Sequence, residues 1–234
     1  MTKIAAIRHF GTVLPNNGAG AGAGIKIEML SPLTRNQAIE IIQKDFVERE
    51  PVSSYLGIKP SEQTRKACEG IIEMALQSKV TPVAIDKRND NLVGVLVSYL
   101  ERPGMADPLG DCGDCGMQHV AEMLQHLGKD IDLFKLYNTD CLLHLLIVVV
   151  NADYTGHGIG KNLLDMAMKI AVSKGAKAAF SQTTGPISTS MFLKRGFSEL
   201  KSLKYTDYIN KQGDRILAGM EGGIHLLAKK LSQE

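Results

Sequence analysis

The densest group of chemistry-bearing residues lies in "ADYTGHGIGKNLL", residues 152–164. Gly156, Gly158 and Gly160 alternate there, between the apolar run "LLHLLIVVV" at 142–150 and a helix-like apolar stripe. A glycine-rich turn between a strand and a helix is suited to holding a phosphate. The first amides of a helix lack intrahelical acceptors, and the positive end of its dipole attracts anions. Glycines let a ligand approach the backbone and let the chain turn sharply. The cradle would comprise Thr155, Gly156, His157, Gly158, Ile159 and Gly160, with the Thr155 hydroxyl as one further donor.

Two nucleotide-binding patterns do not fit this stretch. A dinucleotide loop needs a third glycine where Lys161 stands. A Walker A loop needs glycine at Thr155 and a magnesium-binding hydroxyl at Asn162. Both motifs also follow a first strand, whereas this turn lies far along the chain. The pattern that fits is Gln/Arg-x-x-Gly-x-Gly/Ala after a long strand, with Thr155 in the first position and Gly158 and Gly160 in the others.

Other candidate groups carry weaker signals when taken alone. Cys112-x-x-Cys115 has His119 nearby, but a structural zinc site usually needs a second pair, and none exists among the 4 cysteines. No metal is therefore expected, and the two cysteines read as loop thiols. His144 interrupts an apolar run, where a histidine is more often structural. Glu50 follows Glu48 at the end of a helical pattern and reads as a solvated charge. Ser188 sits where a helix N-cap is expected.

The composition limits the possible classes. A net charge of +2 gives no broad basic surface for nucleic acid. The apolar run 142–150 is too short to span a bilayer, so no membrane association is expected. The first 26 residues carry Lys3, Arg8 and Lys26 but no acid, without a clear leader pattern, and a cytoplasmic location is expected. Residues 1–24 end in "NNGAGAGAG" and read as a disordered Gly/Ala-rich tail, leaving 25–234 as a single domain.

The elements that must position these groups follow from periodicity and turn chemistry. "IKIEML" (25–30) alternates as a strand. Ser31-Pro32-Leu33-Thr34 opens a helix through residue 50, with Ile39, Ile42, Phe46 and Val47 on one face, and Pro51 ends it. A second helix spans 61–79, with Ser61 at its start and Ala67, Ile71, Met74 and Ala75 as its stripe. "TPVAIDKRNDNLVGVLVSYLE" is a hairpin, followed by a glycine-rich loop at 103–118 and a helical stretch from His119 to Tyr137. Strand 141–150, helix 159–174 and strand 176–184 should form a parallel pair with a crossover helix. The short helix "STSMFLKR" and two strands, "SELKSLKYTDYI" and "GIHLLAKKL", complete an α/β chain.

Over most of residues 25–231 the chain resembles the GNAT superfamily of N-acetyltransferases. The resemblance rests on "VVVNADYTGHGIGKNLLDMAMKIAVSKGAK" and on "STSMFLKRGF". "EREP" after the first helix and "YTDYINKQGDRI" are similar to the invertebrate arylalkylamine (dopamine/serotonin) N-acetyltransferases in particular. The resemblance implies a GNAT fold: a mixed, mostly antiparallel sheet of about seven strands, with one parallel pair at the cofactor splay. It implies acetyl-CoA as co-substrate, with the main chain of Val148, Val149 and Val150 along the pantetheine and residues 155–160 on the pyrophosphate.

The same resemblance implies a small-molecule amine acceptor and a monomer or homodimer. Glu50 takes the place of a general base acting through water, and His144 that of a histidine in a proton path. Many relatives use a tyrosine as acid where Phe192 stands; the invertebrate enzymes carry two hydroxyls at the places of Thr184 and Ser188. Ser188 is thus a candidate for both catalysis and cofactor contact. With no tryptophan, aromatic contacts to an amine would come from Phe46, Tyr55, Tyr205 and Tyr208. A polyamine, amino sugar or protein amine remains an alternative acceptor, and a non-catalytic acyl-CoA sensor an alternative function.

Overall fold

Strands that are apolar on both faces require cover on both sides, and the helices supply it. The computed structural model describes residues 24–105 and 116–232. The tail expected before Gly24 and the Cys112/Cys115 pair lie outside the described residues. Among those described, no group of His, Cys, Asp and Glu side chains could hold a metal ion. No helix among them is long and apolar enough to cross a membrane.

The chain runs β1 (Ile25–Met29), α1 (Arg35–Ile41), α2 (Pro51–Tyr55), α3 (Glu62–Ser78), β2 (Pro82–Asp86) and β3 (Asn91–Glu101). It continues through α4 (Met117–Gly128), α5 (Leu133–Tyr137), β4 (Leu142–Val150), α6 (Ile159–Ser173) and β5 (Ala178–Thr183). It closes with α7 (Pro186–Leu193), β6 (Ser198–Lys204) and β7 (Gly223–Lys230). The strands form one 7-stranded sheet in the order β1-β2-β3-β4-β5-β7-β6. β4 and β5 are parallel and every other pairing is antiparallel, as expected for a GNAT fold.

α1 and α3 cover one face through Ile39, Ile42, Ile71 and Ile72. α6 covers the other through Ile159, Leu163, Leu164 and Ala167. α4 packs Met123, Leu124 and Leu127 against β5, β7 and the buried Tyr205 and Tyr208.

Two local departures shape the site. The helix expected to continue through residue 50 does not remain α-helical. After α1 it widens into a π-helical turn, Ile42–Val47. The wider turn keeps Ile41, Ile42 and Gln43 all buried in sequence, a broader face than a simple amphipathic stripe. Pro51 does not simply end this helix; it opens α2, with Glu50 as its N-cap. In the stretch 119–137 the helix also breaks, because Asp132 caps a new helix by accepting the N–H of Lys135 at 3.0 Å.

The second departure is a bulge in β4. Ser98 pairs with Leu145 but Val97 pairs with Ile147, so Leu146 is the extra residue. Before it, Leu143 and Leu145 face the α6 side; after it, Ile147 and Val149 face α1 and α3, while Val148 and Val150 face α6. One inserted residue thus reverses the alternation of the strand.

Candidate active site

β4 and β5 pair only over Leu142–His144 with Ala178–Phe180. Beyond that the strands separate, and the Ser181 hydroxyl donates across the opening to the Leu145 carbonyl at 2.8 Å. A cavity of about 630 Å³ lies in this splay. Asn151 N–H donates to Val93 C=O. By the alternation of an antiparallel ladder, Val149 also turns its main chain toward β3, while Val148 and Val150 turn theirs into the splay. Of the three valines expected to offer main-chain groups, Val149 is therefore committed to the sheet.

The glycine turn closes one end of the cavity. Gly156 and Gly158 have φ of 78° and 73°, the left-handed region that favours glycine. Gly158 is the N-cap of α6; it makes no side-chain cap, and the first turn carries no acid. No side chain of the helix's own first turn therefore competes for its leading amides or its positive dipole end, as a phosphate cradle would require. A Cβ on Gly160 would stand 3.4 Å from Met191 Sδ and 3.7 Å from Val148 Cγ2, so a larger side chain there would crowd the cofactor strand. Thr155 departs from expectation: its hydroxyl donates to Ala152 C=O at 2.9 Å and closes its own turn. His157 is exposed, and its Nδ1 lies 2.8 Å from Thr155 C=O; it is not on the cavity wall.

The opposite end is set by α2 and α7. Glu50 is 5% exposed, which corrects its reading as a solvated charge. Its carboxylate accepts the N–H of Val52 at 3.0 Å and of Ser53 at 2.6 Å, and it still lines the cavity. Thr184 and Ser188 line the same wall. Ser188 is not the N-cap of α7; Gly185 is, and the Ser188 hydroxyl donates to the Gly185 carbonyl at 3.0 Å. Tyr205 donates to the Thr184 carbonyl. Burial, and then the nearby Glu50 charge, push the Tyr205 phenol well above its usual range.

Phe192 is buried against Phe197, their ring centroids 5.0 Å apart, and offers no hydroxyl. Phe46, Leu145, Leu146, Met117, Val120 and Leu124 make the rest of this end apolar. Of the four aromatic residues expected to meet an amine, only Phe46 lines the cavity. Tyr205 and Tyr208 are core, and Tyr55 is exposed, its oxygen accepting the Gly219 N–H at 3.2 Å.

A family profile described as "Acetyltransferase (GNAT) family" matches residues 44–197. The chain belongs to the GNAT acetyltransferase family. The matched span carries the splay, the cradle, Glu50 and α7. Solved structures agree in fold. Arylalkylamine N-acetyltransferase 2 from Aedes aegypti superimposes with a TM-score of 0.79 at 19% identity, over 89% of this chain and 99% of that one. A putative arylalkylamine N-acetyltransferase 7 from the same mosquito gives 0.78 at 18% identity, over 89% and 88%. A Drosophila melanogaster polyamine N-acetyltransferase, which forms N-acetylagmatine, gives 0.74 at 13% identity, over 88% and 100%.

In this GNAT acetyltransferase, then, Glu50, Thr184, Ser188, Val148, Val149, Val150 and the residues of the glycine turn 155–160 other than His157 share one cavity. His144 does not line it. Its Nδ1 lies 2.6 Å from the Tyr99 hydroxyl and 3.1 Å from Glu101 Oε2, and its ring packs on Phe180 at 4.1 Å. Sequence reasoning passed over Arg49, which lines the cavity and donates from Nη2 to the Val150 carbonyl at 2.7 Å. It also passed over Tyr154, on the same wall, whose hydroxyl donates to Asp86 at 2.7 Å. The adjacency of Arg49 to Glu50 in "EREP" was the one signal available for the first; the second pair is 68 residues apart and has none.

Proposed function

We propose that this chain acetylates the primary amine of a small monoamine with an apolar body, of the arylalkylamine class. The observation that carries the reading is a buried carboxylate, Glu50, opening into a mainly apolar acceptor end of the cavity, beside the hydroxyls of Thr184 and Ser188. Among the described lining residues the other acid is Asp45, and Arg49 already pairs with it at 3.4 Å. A second cationic centre, as in a polyamine, would meet no such carboxylate and would be desolvated without compensation.

The residues divide the work as follows. Val148 and Val150 present main-chain groups, and the turn from Gly156 to Gly160 presents amides, to hold acetyl-CoA, which supplies an activated acetyl thioester; the Thr155 N–H is spent on Ala152 C=O within the turn. An amine with a pKa of about 10 arrives protonated. Glu50 accepts its proton through water, being fixed by two N–H donors that keep the carboxylate aimed at the cavity. Phe192 cannot act as an acid, so return of a proton to the departing sulfur falls to the hydroxyls of Ser188 and Thr184 on the same wall. The ammonium gives up two protons: the first leaves to solvent through Glu50 before attack, and the second leaves the nitrogen as it becomes an amide and replaces the one the hydroxyls pass to sulfur, so the site ends the cycle as it began and one proton is released.

Steady-state thiol release with tyramine, serotonin, spermidine and a short peptide tests this. The kcat/KM for the arylalkylamines should exceed that for spermidine by roughly tenfold or more, a difference of about 1.4 kcal/mol. A preference for spermidine or the peptide would overturn the acceptor class. Acetyl-CoA binding without turnover of any amine would favour the sensor reading.

A further inference from the structure

The carboxylate of Asp86, at the end of β2, does not line the cavity and has no part in the chemistry above. It is nevertheless fully buried, with 0% exposure. It accepts the Arg88 N–H at 2.9 Å, Arg88 Nε at 3.0 Å and Nη2 at 2.6 Å. Its fourth donor is the Tyr154 hydroxyl at 2.7 Å. The charge-assisted bonds hold this carboxyl well below the usual carboxylate range, the Arg88 guanidinium contributing most. A buried charge satisfied on all sides is a rigid anchor.

Tyr154 connects that anchor to the cradle. It ends the 3-10 turn Ala152–Tyr154 and directly precedes Thr155. Its ring packs against the core under α6 and also lines the cavity. The other side-chain hydrogen bonds of residues 152–158 stay within the turn: Thr155 to Ala152, and His157 to Tyr154 and Thr155. Within residues 152–158 of the described chain, the Tyr154 phenol is the side chain that hydrogen-bonds a distant strand; at the start of the turn, Asn151 accepts the Asp153 N–H at 3.1 Å and donates to Asp45 at 3.5 Å. A phenylalanine would fill the same apolar space, so the hydroxyl and the buried charge act on orientation rather than on packing.

We infer that Tyr154 is a positioning residue, and that Asp86 and Arg88 in the β2–β3 turn set the affinity for the acetyl-CoA pyrophosphate without touching it. The inference rests on the reading of residues 155–160 as the pyrophosphate cradle. Fixing Tyr154 fixes the direction in which the following amides point, and a small rotation there misplaces several donors at once.

The test uses Tyr154→Phe and Arg88→Leu in the full chain, with binding of CoA by calorimetry and steady-state kinetics. Both variants should weaken CoA and raise the KM for acetyl-CoA by roughly tenfold, with kcat at saturation and the KM for the amine unchanged. The kcat/KM for S-acetylpantetheine, which has no pyrophosphate, should be unaffected. A lowered Tm with CoA affinity and KM kept within twofold would overturn the inference, because it is the signature of packing alone. An equal loss with S-acetylpantetheine would overturn it too. Failure of the wild-type protein to bind CoA would instead overturn the cradle reading on which it rests.

Discussion

Gly185 and Pro51 meet where the turn bearing Glu50 reaches the turn bearing Ser188: a Cβ on Gly185 would stand 3.3 Å from Pro51 Cγ. Gly185 has φ of −130°, an extended conformation open to any residue. The glycine is therefore needed for close approach and not for backbone freedom. It lets α2 and α7 bring the carboxylate and the hydroxyls onto one wall. Gly185→Val should push these turns apart and lower kcat roughly 10-fold to 100-fold, as misplacement of catalytic groups does. Acetyl-CoA binding, measured by calorimetry, should change little. An unaltered kcat would mean that Glu50 and Ser188 do not act together.

Glu50 both caps α2 and faces the cavity, and two substitutions separate these roles. Glu50→Gln keeps an amide oxygen to accept the Ser53 N–H but loses the proton acceptor. Turnover should fall roughly 10²–10⁴-fold, with the loss shrinking at high pH as more amine arrives neutral. Glu50→Ala should lose the cap as well, lowering stability by about 1 kcal/mol more than Gln does. Stopped-time assays across pH, with denaturant unfolding of both variants, check the pair. Near-normal turnover in the Gln variant would remove Glu50 from the mechanism.

The sharp turn between β4 and α6 was legible in the sequence because glycine itself is the signal: Gly156 and Gly158 are written where φ is positive. The parallel β4–β5 pair was legible from two apolar runs joined by one helix. The bulge at Leu146 was not, because in "LLHLLIVVV" every position but His144 is apolar and a reversal of alternation after Leu145 leaves no trace. The π-helical turn was hidden similarly, since one added residue only widens an apolar stripe. Glu50 is buried where the Gly185 turn meets Pro51, more than a hundred residues apart along the chain, and local pattern placed it in solvent.

The buried Asp86 carboxylate carries a pH signature. Its folded pKa is depressed by Arg88 and Tyr154, so its contribution to stability is present above the unfolded value of about 3.9 and lost as pH falls below it. Wild-type Tm should therefore drop more steeply between about pH 4 and pH 2 than that of Asp86→Asn, which has no carboxylate to protonate. The variant should already be less stable at pH 7. Scanning calorimetry across this range checks both, and parallel curves would show that Asp86 is not the acid-sensitive group.

His144 offers a last separation of structure from chemistry. It sits in a cross-strand row with Tyr99 and Phe180. Its Nδ1 is engaged by Tyr99 and Glu101, and its Nε2 is buried without a hydrogen-bond partner. Nothing in this arrangement reaches the cavity wall. His144→Gln keeps one polar contact but loses the ring that packs on Phe180 at 4.1 Å. Stability should fall by about 1–3 kcal/mol, the usual range for a disturbed core, which lowers Tm by roughly 2–4 °C per kcal/mol in a chain of this size. The turnover number and the pH–rate profile should match the wild type at a temperature where both are folded. A shifted acid limb in the profile, with Tm unchanged, would instead put His144 on the route by which the amine proton leaves, and Glu50 would then share the base role.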